Sequence, residues 1–248
     1  MYKRKTYRFP SAIEVEEYHD GRYGAPGQPR QKKRKPTPEQ VERKNQRNKE
    51  NACRRKLREH FREGDCYVTL TYAKDLRPPD METAKRDFSI FMRRIRKEYA
   101  SAGHKLKWIR NIEVGSRGAW HIHLVINHIP GTDIILQDAW THGRMHYQLM
   151  YEKGGYRDLA KYMTKSEKTD TRIKESSYST SRNLPIPEPK VEIISAGSWR
   201  RGMKRVIPDG WYLDPDSYWE GINPVTGYPS RHYTLLRTKE EKRYHRRC

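Results

Sequence analysis

The sequence predicts an α+β fold, and three patterns between residues 66 and 166 carry that prediction. Residues 66–72 alternate between two faces and are rich in β-forming side chains, as a half-buried strand is. From about residue 80 to residue 99, apolar side chains recur at helical spacing and form a single stripe: Phe88, Phe91, Met92, Ile95 and Tyr99. Two further β-rich runs, 107–114 and 119–126, flank the glycine-containing loop 115–118, which indicates a β-hairpin.

The charge of the chain points to an acidic partner. Its 248 residues include 52 Lys and Arg against 31 Asp and Glu, a formal net charge of +21. Nucleic acid is the leading candidate, because each phosphate that a basic side chain neutralises releases a counterion. The hydrophobic share of 34% is low for a globule, so we expect part of the chain to be extended or dependent on a partner.

The chain shows no sign of a membrane or secreted protein. It has no apolar run long enough to span a bilayer, and its first residues lack the apolar core of a signal peptide. Its 3 cysteines have no metal-type spacing, which argues against a zinc finger or a disulfide scaffold. We therefore expect a cytoplasmic protein with reduced thiols, in a bacterial host.

The composition divides the chain into three regions. Residues 1–63 are expected to form a basic arm and a polar helix, with Thr37 as the N-cap, Pro38 at the first helical position and Gln40 three residues after the cap. Residues 64–195 contain the strand, helix and hairpin patterns. Residues 196–248 form a basic and aromatic extension.

The hairpin places candidate metal ligands on one face. Because successive side chains of a strand alternate, His121 and His123 point away from the apolar residues between and around them. If Val114 pairs with Trp120, Glu113 lies beside His121 on the face opposite the core. Two imidazoles and a carboxylate suit Mn²⁺ and tolerate Mg²⁺, and they also suit Zn²⁺ or Fe²⁺. A lone His-x-His more often marks exposed strand residues, but the acid in register favours a metal site.

A tyrosine on the next helix is the candidate nucleophile. Between residues 155 and 166, Tyr156 begins an apolar stripe with Leu159, Ala160 and Met163, whereas Tyr162 lies well off that stripe. A tyrosine hydroxyl can attack a phosphodiester and form a covalent phosphotyrosine. Lys165, one helical turn on, would stabilise the phenolate or the phosphate. Tyr156 competes for the role of nucleophile, but its position on the stripe favours core packing.

These motifs, taken in order, resemble those of the HUH endonucleases, the replication initiators (Rep proteins) of rolling-circle plasmids and of circular single-stranded DNA viruses and phages. Residues 67–71, Tyr-Val-Thr-Leu-Thr, resemble the first motif of the family. His121-Ile122-His123 resembles the metal motif, and Glu113 sits where many viral members carry a metal-binding acid. Tyr162 and Lys165 match the Tyr-x-x-Lys motif, with Tyr162 as the nicking tyrosine. The resemblance covers residues 64–195.

The resemblance implies both a fold and an activity. The fold would be a central antiparallel sheet with helices on one face and the metal on the other. The activity would be metal-dependent, site-specific nicking of one DNA strand through a 5′-phosphotyrosine intermediate, followed by strand rejoining, in the initiation of rolling-circle replication. A transposase or a relaxase of the same superfamily would share this chemistry. A nucleic-acid-binding protein without catalysis is the alternative of another class.

The expected partners are single-stranded DNA or an origin hairpin, and a host helicase, because the sequence has no G-x-x-x-x-G-K-[ST] pattern of the fused helicases. Trp211 and Trp219, with Trp199, would stack on unpaired bases or else pack a small C-terminal subdomain. The other residues expected to contact DNA are Lys32, Lys33, Arg34, Lys35, Thr69, Thr71, Arg117, Arg200 and Arg201.

Overall fold

The computed structural model describes most of the chain, namely residues 1–19, 35–115, 118–151, 154–165, 178–195, 197, 207–223 and 227–238. It divides into two compact units, a central unit of residues 45–186 and a terminal unit formed by residues 1–44 and 187–248. None of the described helices is long and apolar enough to span a membrane.

The strands and helices follow one another in chain order. The strands are β1 (Tyr2–Arg8), β2 (Ala12–Tyr18), β3 (Cys66–Thr71), β4 (Trp108–Val114), β5 (Trp120–Ile126), β6 (Met145–Leu149), β7 (Tyr178–Thr180), β8 (Lys190–Ile194), β9 (Trp211–Leu213), β10 (Trp219–Ile222) and β11 (Pro229–Arg237). The helices are α1 (Pro38–His60), α2 (Met81–Ser101), α3 (Thr132–Ala139) and α4 (Arg157–Thr164).

The central unit is built on a five-stranded antiparallel sheet in the order β6-β3-β5-β4-β7. One face of this sheet packs against α2 and α3 and forms the main hydrophobic core, to which β5 contributes Trp120, Ile122 and Leu124. The side chain of Asp80 caps α2 by accepting a 2.8 Å hydrogen bond from the backbone N–H of Thr83. The predicted α+β class, with a central antiparallel sheet and helices packed on it, is confirmed.

A second, smaller core lies on the opposite face of the central sheet. Cys53 and Leu57 of α1 and Met163 of α4 belong to it, together with Ile109 and Val125 from the sheet. The polar residues of β4 and β5 follow two to four positions away from these apolar ones, where the face is partly exposed to solvent. The pattern of the strands therefore leaves one half of this face available for chemistry.

The expected start of α1 is confirmed. The backbone N–H of Gln40 donates to Thr37 Oγ1 at 3.3 Å, and Gln40 Oε1 accepts from the backbone N–H of Thr37 at 3.1 Å. These reciprocal hydrogen bonds form a capping box, which satisfies two backbone donors that a helix start otherwise leaves without partners.

The terminal unit contains a six-stranded antiparallel sheet in the order β10-β11-β2-β1-β8, with β9 also paired to β11. Ile13, Val15, Tyr233 and Leu235 form a small core on one of its faces. Residues 2–18 are thus a strand pair, which differs from the extended arm expected from sequence. The strand expected at 191–194 is present as β8, and it pairs with β1 in this terminal sheet.

A buried ion pair explains how a strand as basic as β1 enters a sheet. Glu17 is fully buried; its Oε1 accepts from Arg4 Nε at 2.6 Å, and its Oε2 accepts from Arg231 Nε. A carboxylate between two guanidinium groups compensates charges that would otherwise be costly to bury.

Candidate active site

The register of the central sheet aligns the candidate ligands. In the β4–β5 pair, Val114 lies opposite Trp120 and Glu113 lies opposite His121, which is the predicted register. On the other side of β5, the strand β3 places Thr69 opposite His123. Since directly opposed residues of neighbouring strands point to the same face, these polar side chains share the face opposite the main core.

Glu113, His121 and His123 form a compact set of possible metal ligands. Glu113 Oε1 lies 2.6 Å from His123 Nε2 and 3.8 Å from His121 Nδ1. One ligand atom from each of the three residues lies within 4.8 Å of the others. The two imidazoles, His121 first and His123 second, hold the pKa of Glu113 well below its usual range, so the carboxylate is an anion at neutral pH. Two nitrogen donors and an anionic oxygen fit a divalent cation of the Mn²⁺ type.

The other ring nitrogen of His123 is held from β3. The Tyr67 hydroxyl lies 2.8 Å from His123 Nδ1 and the Thr69 hydroxyl lies 3.2 Å from it. The rings of Tyr67 and His123 are nearly parallel, at 12°, with centroids 6.0 Å apart. A hydrogen bond at Nδ1 orients the imidazole and directs its Nε2 lone pair toward the cation position. Tyr67 was placed in a strand by the sequence but not among the site residues, although its alternation with Thr69 puts it on the same face.

Tyr162 brings its hydroxyl to the same cluster from α4. The phenol oxygen lies 2.9 Å from His123 Nε2, and the hydroxyl is 3.3 Å from Glu113 Oε1, which accepts from it. The side chain is 37% exposed, so a substrate can approach it from solvent. Burial, and then the neighbouring Tyr67 and Glu113, raises the pKa of the Tyr162 phenol above its ordinary value, so it is protonated at neutral pH.

The start of α4 is fixed by a glycine and a buried arginine. Gly155 and Tyr156 both adopt the left-handed conformation, at φ of 57° and 60°. Arg58 Nε of α1 donates to the carbonyl of Gly155 at 2.9 Å, and a Cβ on Gly155 would lie 2.5 Å from that guanidinium group. Only glycine fits there without displacing Arg58. This anchor sets the position from which α4 presents Tyr162.

Tyr156 is 2% exposed and belongs to the smaller core. The expectation that it packs in the core is therefore confirmed, and its burial separates it from the exposed Tyr162.

The remaining predicted site residues fall into two groups. Lys165 is exposed at the end of α4, where its backbone N–H donates to the carbonyl of Tyr162 at 3.2 Å. The Thr71 hydroxyl donates to the carbonyl of Arg144 at 2.9 Å, and Lys35 is exposed ahead of α1. The following predicted DNA contacts lie outside the described residues: Lys32, Lys33, Arg34, Arg117, Trp199, Arg200 and Arg201.

Comparison with known families identifies the segment that holds this cluster. Residues 65–167 match the family model of the replication-associated protein of the ORF2 type. This segment is a domain of that family. It contains Glu113, His121, His123 and Tyr162, and it agrees with the resemblance to the HUH endonucleases. The match supports a replication-initiator role for the protein. No curated protein and no solved structure matches the chain.

Proposed function

We propose that the protein is a metal-dependent, site-specific endonuclease and strand transferase that acts on single-stranded DNA to initiate rolling-circle replication. One observation carries the proposal: the Tyr162 hydroxyl lies 2.9 Å from an imidazole nitrogen of the Glu113, His121 and His123 cluster, inside a replication-associated domain. The net charge of +21 fits a phosphate-rich substrate.

In the proposed nicking step, Tyr162 Oη attacks the phosphorus of one phosphodiester. A bond forms between Oη and phosphorus, and the bond from phosphorus to the 3′ oxygen breaks. The products are a 5′-phosphotyrosine and a free 3′ hydroxyl, so overall the phenol proton is lost and the 3′ oxygen gains one. In strand transfer, a 3′ hydroxyl attacks the phosphotyrosine and restores the phenol, which rejoins the DNA.

Glu113, His121 and His123 would hold the cation, Mn²⁺ or Mg²⁺. The bound cation would polarise the scissile phosphate and stabilise charge on the leaving 3′ oxygen. Tyr67 and Thr69 would keep the His123 ring in its orientation. Lys165 would bring a positive charge toward the phosphate from the end of α4.

The substrate would be single-stranded DNA or the unpaired part of an origin hairpin, bound in the cytoplasm of a bacterial host. The basic residues predicted to contact DNA, Lys32–Lys35 and the cluster Trp199–Arg201, would hold the backbone and bases outside the cleavage site. Duplex unwinding would come from a host helicase.

The proposal is tested by the covalent product. The full-length chain is incubated with end-labelled single-stranded DNA from its own locus, with Mn²⁺ or with a chelator. We expect a protein–DNA adduct that survives denaturant, requires the metal and disappears in Tyr162→Phe, because the substitution removes only the attacking oxygen. Tyr151→Phe is the matched control, since Tyr151 is a highly exposed tyrosine of the same unit.

Two results would contradict the proposal. An adduct that persists in Tyr162→Phe would transfer the nucleophile to another residue. DNA binding without metal dependence and without strand scission would favour the non-catalytic alternative.

A further inference from the structure

The terminal sheet has a second face, opposite its small core, that carries rings and charged groups. Strand register places Trp219, His232, Glu16, Lys5 and Val191 in one row across five strands. The next row contains Gly221, Ser230, Tyr18, Lys3 and Ile193. We call these two rows the aromatic face. Trp219, Val191 and Ile193 are exposed, so this part of the sheet is open to solvent.

Trp219 lies along the sheet rather than projecting from it. Gly221 is two residues further on β10 and therefore points to the same face, and a Cβ at Gly221 would lie 2.9 Å from the indole Cζ2. The indole also stacks on His232, with ring centroids 5.5 Å apart and an angle of 20°. The glycine thus makes room for a ring that lies flat, and the ring is still 40% exposed.

Positive charge accompanies these rings. Lys5 Nζ lies 5.5 Å from the centroid of the Tyr18 ring, and Lys3 is directly opposite Tyr18 in the β1–β2 register. Glu16 lies between His232 and Lys5, so the net positive charge of the face is small. A ligand of this face would be held mainly by stacking, with the lysines contributing contacts to phosphate.

We propose that the aromatic face is a second binding surface for single-stranded DNA, in which an unpaired base stacks on Trp219. Every base has a flat π-face that such a ring can hold, whereas bases inside a duplex are already stacked on one another. The choice of DNA as the occupant rests on the proposed nicking function. The high positive charge of the chain favours a nucleic acid over an apolar partner.

The test measures binding separately from cleavage. Every variant is made in the full-length chain carrying Tyr162→Phe, which prevents cutting, and the probe is a fluorescent oligothymidylate of about 15 nucleotides. We expect Trp219→Ala to bind the probe roughly 10-fold more weakly in an anisotropy titration, since it loses one base stack. Trp219→Phe keeps a ring and should stay within about 3-fold of the parent.

Tyr218→Ala is the matched control. Tyr218 is the neighbouring aromatic residue and is 39% exposed, almost as much as Trp219. Its hydroxyl bonds to Glu220, which lies opposite Arg231 on the other face of the sheet. It should therefore bind the probe as tightly as the parent. If Trp219→Ala does not fold, Lys5→Gln reports on the same face and should weaken binding by about 2- to 3-fold.

The proposal is overturned if Trp219→Ala binds as tightly as Tyr218→Ala. An equal loss of affinity for a blunt duplex probe would also overturn it, because no base is then free to stack. A change in sedimentation without a change in DNA affinity would assign the face to self-association instead. The metal-dependent adduct of the unaltered chain is measured in parallel. An adduct without a Trp219 effect rejects this surface alone, and a Trp219 effect without an adduct rejects only the nuclease.

Discussion

The two sheets of the protein use polar side chains in opposite ways. On the central sheet, Glu113, His121 and His123 gather on a face that is partly open to solvent, where a substrate can reach them. In the terminal sheet, Glu17 sits fully buried between Arg4 and Arg231. The first cluster leaves ligand atoms directed at a shared point, whereas the second uses its carboxylate oxygens to compensate charge. We infer that the same residue types serve chemistry in one sheet and stability in the other.

The largest expected effect comes from removing a ligand on the central sheet. His121→Ala deletes one of three possible metal ligands, and we expect DNA cleavage to fall by roughly 10²- to 10³-fold, as when a metal contributes several kcal/mol to the transition state. The imidazole is partly exposed, so the melting temperature should change little. Single-turnover cleavage and Mn²⁺ titration calorimetry measure the two losses.

His146→Ala provides the control for this prediction. His146 lies opposite Thr69 on the same face of the sheet and is exposed on the edge strand β6. It should cleave at nearly the parent rate. Equal losses in both variants would mean that a general imidazole effect, rather than metal ligation, explains the result.

The complementary substitution lies in the terminal sheet. Glu17→Gln keeps the shape of the side chain but removes the charge between two arginines, and we expect a loss of roughly 3–5 kcal/mol in stability because a buried guanidinium group then has no counter-charge. Hydrogen exchange of the β1, β2 and β11 amides measures the change within this unit. Affinity for Mn²⁺ should not change, since all three ligand residues lie in the central unit.

Glu16→Gln is the control for Glu17, because its side chain lies on the opposite face and is partly exposed. We expect at most about 1 kcal/mol for it. If the amides of the two variants are equally protected, the buried carboxylate does not stabilise the sheet.

The contrast between the sheets also explains what could be predicted from sequence. In β4 and β5 one face is apolar, so period-two alternation determined both the register and the common face of Glu113, His121 and His123. In β1 basic residues occupy both faces, and its partners β2 and β8 are joined by ion pairing and by a contact across more than half of the chain. Alternation carries no information about such pairing.

Two other features depended on tertiary structure. The helix α3 has 8 residues and begins after Gly131 without a side-chain cap, so it lacks the usual start signal. The hydrogen bond from Tyr67 to His123 depends on where two rings meet across neighbouring strands. Alternation indicates the face of Tyr67, but the distance came only from the structure.

The smallest of these effects sharpens the comparison, because it concerns a side chain that orients a ligand without being one. Tyr67→Phe removes the hydroxyl that lies 2.8 Å from His123 Nδ1 while keeping the ring. We expect Mn²⁺ affinity to fall by roughly 10- to 100-fold, as it does when the partner of a metal-binding histidine is lost. At saturating Mn²⁺ much of the cleavage rate should return.

Tyr147→Phe is the control for this substitution, since the Tyr147 hydroxyl contacts Cys66 Sγ on the other face of the sheet. If Tyr67→Phe binds Mn²⁺ as tightly as Tyr147→Phe, then Thr69 alone orients the histidine. If cleavage stays low at saturating metal, Tyr67 acts instead on Tyr162, whose ring it meets edge to face with centroids 6.4 Å apart. The hydroxyl of Tyr67 would then serve the nucleophile rather than the metal, and the two roles are separated by whether added Mn²⁺ restores the rate.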